Sequence, residues 1–206
     1  MKTLAIISQK GGCGKSTLAV HLAVCAVKAG KTVALMDLDK QESSYQWFET
    51  RAKENELIAI QAQAPQLPEL LKQGRAGKID LVIIDTAPHT EAPITQVAKL
   101  ADFVLVPTVP YVFELRAVPS TVDSLELVKA NYSIVINGAP RGRQAEEART
   151  ALEGQGYPVL KPVIHSRVAF RHALADGRSV YEYEPEGRAA SEISALFKVL
   201  KSKLKL

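Results

Sequence analysis

The sequence predicts an α/β fold: a mainly parallel, twisted sheet with helices on both faces. Three observations predict it. Short apolar runs alternate with helix-length stretches along most of the chain. Several of those runs are apolar throughout, with no in–out alternation, which suits strands buried on both faces. Glycine- and aspartate-rich loops follow the runs, at the strand ends where such sheets bind ligands.

The elements read in order as follows. KTLAIIS opens the chain as a first strand, and Lys15–Lys28 follows as a helix. TVALMDL, LIAIQA, IDLVIID, DFVLVPT and YSIVING read as five further strands. The intervening helices are Ser43–Asn55, Pro65–Arg75, Thr90–Leu100, Glu114–Ala130 and Arg143–Gly154. Strand–helix alternation implies right-handed crossovers and parallel pairing. The last 40 or so residues lose this pattern and read as helices at Val168–Ala175 and Arg188–Lys203.

The chain has 206 residues, enough for one domain with a sizeable core, and no repeat or linker divides it. No apolar run approaches the roughly 18 residues of a membrane span. The N-terminal apolar stretch runs into a glycine loop, so it is a strand rather than a signal peptide, and a cytoplasmic location is expected. Cys13 and Cys25 read as free thiols, and His21, His89, His165 and His172 are too scattered for a zinc site. The net charge of +4 lies at one end: residues 1–160 balance 17 basic against 17 acidic side chains, whereas residues 161–206 hold 9 against 5. Such asymmetry points to a polyanionic partner or a solvated basic face.

The chemistry concentrates in three loops. SQKGGCGKST follows the first strand and opens the first helix. It departs from GxxxxGK[ST], because the first glycine of that pattern would fall at Gln9. Lys10, Gly11, Gly12, Cys13, Gly14, Lys15, Ser16 and Thr17 still form a phosphate cradle, which makes this a P-loop fold. Glycines let backbone N–H groups converge on phosphate oxygens, and the helix presents its positive end to the anion. Lys15 is expected to reach the β- and γ-phosphates and the Ser16 hydroxyl to ligate Mg²⁺. Asp85 ends the apolar strand LVIID, across from Ser16, and is expected to be the second magnesium ligand. Asp37 and Asp39 close MDLDK. They are expected to face opposite sides and to differ in role, one capping the next helix and one positioning an attacking water. Asp39, farther out, is assigned the water.

KGGCGKST, MDLDKQ and LVIIDTAP resemble the three nucleotide motifs of the ParA/MinD family of deviant Walker ATPases. The resemblance spans nearly the whole chain, including VLVPTVPYVFEL and FRHALADGRSVYEY, and is nearest to small ParA-type partition proteins without an N-terminal helix-turn-helix domain. It implies ATP and Mg²⁺ as ligands and hydrolysis of ATP, weak until a partner stimulates it. It also implies a second role for lysine: Lys10 reaches the phosphates of the partner's ATP across a nucleotide-sandwich homodimer, while Lys15 acts within the monomer. Asn137, in SIVING, is placed near the adenine. Lys40 departs from the proline usual after the second acidic residue, and Glu114 stands where many members carry aspartate.

The resemblance further implies non-specific DNA binding by the ATP dimer, a nucleoid-associated location and a ParB-like or other cargo adaptor. Arg167, Arg171 and Arg178 are the candidate phosphate contacts, with Arg167 and Arg171 expected on one helical face. The alternative is a membrane-associated positioning ATPase of MinD type. Its case rests on EISALFKVLKSKLKL, where Ile193, Leu196, Phe197, Leu200 and Leu204 share a helical face opposite lysines. Core packing is the more ordinary use of such a stripe, and membrane contact is not expected.

Overall fold

The computed structural model describes residues 1–51, 57–88 and 94–206. β1 (Lys2–Ile6) leads into α1 (Lys15–Lys28), β2 (Val33–Asp37), α2 (Ser43–Thr50) and β3 (Leu57–Gln61). A 3-10 turn (Ala64–Gln66) introduces α3 (Leu67–Ala76), followed by β4 (Leu81–Asp85), α4 (Ile94–Leu100) and β5 (Phe103–Thr108). Next come α5 (Val112–Leu115), α6 (Val118–Leu127), β6 (Tyr132–Ala139), α7 (Gln144–Gly154) and β7 (Val159–His165). α8 (Val168–Ala175), α9 (Val180–Tyr183) and α10 (Arg188–Leu204) close the chain.

The strands form one seven-stranded sheet in the order β3-β2-β4-β1-β5-β6-β7. Every described pair is parallel. The central strands are apolar throughout because both sheet faces are covered. Leu4, Ile6, Leu35, Ile83 and Leu105 pack on one face with α1 and α10. Ala5, Ile7, Met36, Val82, Ile84 and Val106 pack on the other with α3, α4 and α6. α1 is buried on nearly every side, from Leu18 to Ala26, because it lies between the sheet and α10.

Three expectations need correction. VLKPVIH, assigned to no element from the sequence, is the seventh strand, and it continues the parallel sheet. Lys161 and Pro162 hid it, but a proline is tolerated on an edge strand, where its missing N–H need not pair. The helix expected over Glu114–Ala130 is two helices, since Pro119 sits at the first turn of α6 and cannot continue a preceding helix. The helix read from Ser43 stops at Thr50, with Arg51 extended. The rest of that expected helix, and the Thr90–Pro93 start of the next, lie outside the described residues, as does His89.

The C-terminal stripe is core. Ile193, Leu196, Leu200 and Leu204 are buried with Phe197 against α1 and the sheet, so the apolar face of α10 is covered by protein. No described helix is long and apolar enough to cross a membrane. Leu200→Ala should therefore lower unfolding free energy by about 2–5 kcal/mol, read as a shift in urea midpoint with the denaturant slope unchanged. A loss below about 1 kcal/mol would mean that the stripe is not core.

Candidate functional site

β1, β4 and β2 lie side by side, and their carboxyl ends set the site. The register pairs Ile6 with Asp85 and Asp37 with Asp85. Two carboxylates thus end adjacent strands just below the glycine loop. Both side chains leave the sheet on the α1 side, the parity of Leu35 and Ile83 two residues earlier.

The loop runs from Ser8 to Gly14 and is pinned at several points. Gly12 and Gly14 take φ of +77° and +86°, in the left-handed region that glycine reaches without strain. Gly14 is the N-cap of α1. A Cβ there would also lie 2.2 Å from Asn137 Nδ2, so a larger residue would have to push that amide aside. Asn137 Nδ2 donates to the Cys13 carbonyl at 2.7 Å. The Gln9 amide N–H donates to Thr121 Oγ1 at 3.3 Å, and its side chain exchanges hydrogen bonds with Ser120. Gln9, standing where the commoner loop has glycine, therefore ties the loop to α6. Sequence reasoning missed this anchor, because its partner lies 111 residues away.

The two lysines behave differently. Lys15 is buried, and its Nζ donates to the Lys10 carbonyl at 2.9 Å, so its ammonium sits inside the cradle. The Lys10 side chain is half-exposed, and its ammonium has no partner among the described residues. Ser16 and Thr17 are half-buried on the first turn of α1.

Asp37 and Asp39 sit in different surroundings, for a different reason than expected. Residues two apart in a strand share a side. They differ because β2 ends at Asp37 and Asp39 lies in the turn beyond it. Asp37 is buried and holds the start of α2: its Oδ2 accepts from the Ser44 N–H at 3.0 Å, the Ser44 hydroxyl at 2.7 Å and the Tyr45 N–H at 3.0 Å. It is the helix-capping member of the pair. Asp39 is half-exposed, and its Oδ1 accepts the Gln41 N–H at 3.0 Å.

Asp85 is wholly buried, and neither of its oxygens has a well-formed hydrogen bond among the described residues. Burial pushes its pKa from 3.8 up to about 7; the neighbouring Asp37 adds to the rise, and the Ser16 and Ser44 hydroxyls and Lys15 oppose it. A buried, uncompensated carboxylate beside a hydroxyl is a receptor for a hard cation, and Ser16 with Asp85 fits Mg²⁺. Among the described residues no group of three or more His, Cys, Asp or Glu could hold a metal. Mg²⁺ here would complete its shell with phosphate oxygens and water, its usual habit.

The basic segment is less free than its sequence implied. Arg167 precedes α8 in extended conformation, so it shares no helical face with Arg171. Its guanidinium is clasped by Glu192 of α10, which also accepts the His165 N–H at 3.0 Å and contacts His165 Nδ1 at 2.8 Å. Arg178 pairs with Asp176 and lies over the Tyr183 ring at 5.0 Å. Arg171 is exposed, with no carboxylate partner among the described residues.

Residues 4–180 match the CobQ/CobB/MinD/ParA nucleotide binding domain. The chain belongs to that family. The carboxysome distribution protein A of Halothiobacillus neapolitanus is 30% identical over 204 residues, covering 92% of this chain and 91% of its own. The chromosome-partitioning ATPase Soj of Thermus thermophilus is 25% identical, with the same coverage. Among solved structures, the septum site-determining protein MinD of Pyrococcus horikoshii with Mg-ADP superposes with a TM-score of 0.77 at 19% identity, covering 100% of this chain and 99% of that one. At that identity the likeness speaks to the fold: a single-domain, parallel-sheet ParA/MinD domain.

Asp85 gives this ParA/MinD domain a pH-dependent stability. The folded carboxyl keeps its proton up to about pH 7, whereas the unfolded one loses it near 3.8. Folding is thus disfavoured progressively as pH rises across that window. Asp85→Asn should raise the stability of the ligand-free protein at about pH 8 by on the order of 2–4 kcal/mol, with the gain vanishing near pH 4. Equal urea midpoints at both pH values would show that the carboxylate is not strained.

Proposed function

We propose that this protein is a ParA-type positioning ATPase. It would form an ATP-dependent sandwich dimer, bind DNA without sequence preference, and hydrolyse ATP when an adaptor on its cargo stimulates it. The observation that carries the reading is the division of labour between two lysines in one loop, Lys15 buried in the cradle and Lys10 half-exposed and unpaired at its rim. A cation at the rim can offset the charge of a second nucleotide facing the first, and only when nucleotide is present. Tyr111, Val112 and Phe113 are exposed, and Glu114 of the same segment lines a small cavity with Lys10 and Cys13. An apolar ledge beside the loop suits a dimer face.

Within each subunit, loop N–H groups and Lys15 would hold the phosphates, and Ser16 and Asp85 would hold Mg²⁺. A Mg²⁺ held there would supply positive charge to offset the negative charge developing on the phosphates. Asp39, free of the helix-capping duty that occupies Asp37, would orient the attacking water. Asn137 is committed through Nδ2 to the loop, so its part in nucleotide binding is to fix the cradle as well as to border the adenine.

DNA contact would fall to Arg171 and Arg178 with the exposed lysines of α10, Lys198, Lys201 and Lys203, on the segment that carries the charge excess. Arg167, clasped by Glu192, would mainly shape that surface. The adaptor would be a ParB-like or other cargo protein. Relatives named for carboxysome distribution and for chromosome partition support a large assembly or a DNA molecule as cargo.

Three results test the reading. Lys15→Ala should abolish nucleotide binding in calorimetry. Lys10→Ala should bind nucleotide but stay monomeric with a slowly hydrolysed ATP analogue, where the wild type dimerises in light scattering. With that analogue, log K should fall with log salt on any duplex, and the two arginines of each subunit should contribute about −4 to the slope of the dimer. Arg171→Ala with Arg178→Ala should flatten that slope for all sequences alike. Dimerisation of Lys10→Ala, or indifference of the wild-type ATP form to DNA, would overturn the proposal.

A further inference from the structure

α2 touches the candidate nucleotide site at one end and the basic C-terminal segment at the other. At its start, Ser44 and Tyr45 hang from Asp37, whose register partner is Asp85. At its far end three contacts fasten it to residues 177–182. Trp47 Nε1 donates to the Arg178 carbonyl at 3.2 Å. Arg51 Nη2 donates to Glu182 Oε1 at 2.9 Å, in an ion pair whose members are 4% and 17% exposed, and its guanidinium lies 4.9 Å over the Trp47 ring. Gly177 comes so close that a Cβ there would meet the Thr50 carbonyl oxygen at 2.9 Å, and its φ of +67° is one that glycine reaches without strain. Glu182 in turn accepts the Ser179 N–H at 2.7 Å and so caps α9.

These contacts connect distant parts of the chain: Trp47 and Arg178 are 131 residues apart. The helix between them is 8 residues, or about 12 Å, long, and too short to bend appreciably. We propose that α2 is a strut that transmits occupancy of the phosphate and metal site to residues 177–183, and so sets Arg178 within that segment and Arg171 on the helix before it. The coupling follows from the register. Asp37 stands opposite Asp85 across β2 and β4, and its Oδ2 holds the N–H groups and hydroxyl that start α2. A cation held at Ser16 and Asp85 would fix the ends of both strands and so firm the grip of Asp37 on α2. A firmer α2 holds 177–183 more tightly. The consequence for DNA rests on the function proposed above, while the coupling itself does not.

Trp47 is the only tryptophan, so intrinsic fluorescence reports on the strut directly. The experiment titrates the full chain with Mg-ADP, which avoids confusion with an ATP-driven dimer. It follows Trp47 emission and amide hydrogen exchange over residues 176–183. Nucleotide should slow exchange there by about fivefold, the effect of one net hydrogen bond, in step with a change in emission. Trp47→Phe deletes the bond to Arg178 while keeping an aromatic ring, and Arg51→Met deletes the pair with Glu182. Each should cut the slowing to under about twofold, with Mg-ADP still bound by calorimetry. No nucleotide-dependent change at 176–183 in the wild type, or an undiminished change in both variants, overturns the strut. Where DNA binds, the ratio of its affinities with and without nucleotide should fall in the same variants, because coupling is reciprocal. Coupled exchange without DNA binding would support the strut and remove the DNA reading.

Discussion

Two carboxylates held in the protein interior, directly opposite each other across a pair of parallel strands, set the terms for this molecule. Asp37 and Asp85 share a register line between β2 and β4. Like charges brought together away from water are costly unless each finds compensation. Asp37 finds it locally, in the N–H groups and hydroxyl at the start of α2. Asp85 does not, and burial raises its pKa to about 7. Strain of this kind is what a binding site stores. A cation supplied with phosphate would relieve it, so the groups that weaken the empty protein are those that favour ligand.

The loop above them has the opposite character. Its backbone N–H groups, the N-terminus of α1 and Lys15 make a region of positive potential. The cradle is pinned from both sides, by Asn137 of β6 and by Ser120 and Thr121 of α6. Pinning matters because a phosphate cradle works only if its donors already point inward when ligand arrives. Lys15 illustrates this, parked on the Lys10 carbonyl with its charge inside the site. Anion cradle and buried carboxylate then sit at the ends of the adjacent strands β1 and β4, an arrangement that suits a metal–nucleotide complex.

Charge on the far side follows other rules. The basic excess of the C-terminal segment suggests an open patch, yet the structure spends part of it internally. Arg167 and Glu192 tie the start of α8 to α10, with His165 in the same cluster. Such a clasp, half-buried and sharing one carboxylate among several donors, orders the segment more than it attracts ligands. The charges left outward are fewer, and among them Arg178 lies on the segment that α2 contacts.

The sequence by itself determined much of this. Unalternated apolar runs required strands covered on both faces, and helices between them required parallel pairing, which places Asp37 and Asp85 at the same edge as the glycine loop. Glycine spacing determined the cradle, since Gly12 and Gly14 take backbone angles that other residues seldom reach. The stripe from Ile193 to Leu204 specified an apolar helical face without saying what would cover it; α1 and the sheet do. Tertiary structure decided the rest. β7 was illegible because Lys161 and Pro162 are tolerable only at a sheet edge, and no local pattern says which strand will be the edge. The anchoring role of Gln9, the division between Asp37 and Asp39, and the capture of Arg167 by Glu192 depend on where strands end and on partners brought near only by folding. Periodicity reports which face of an element is buried. Which polar group meets which depends on distances that no local pattern encodes.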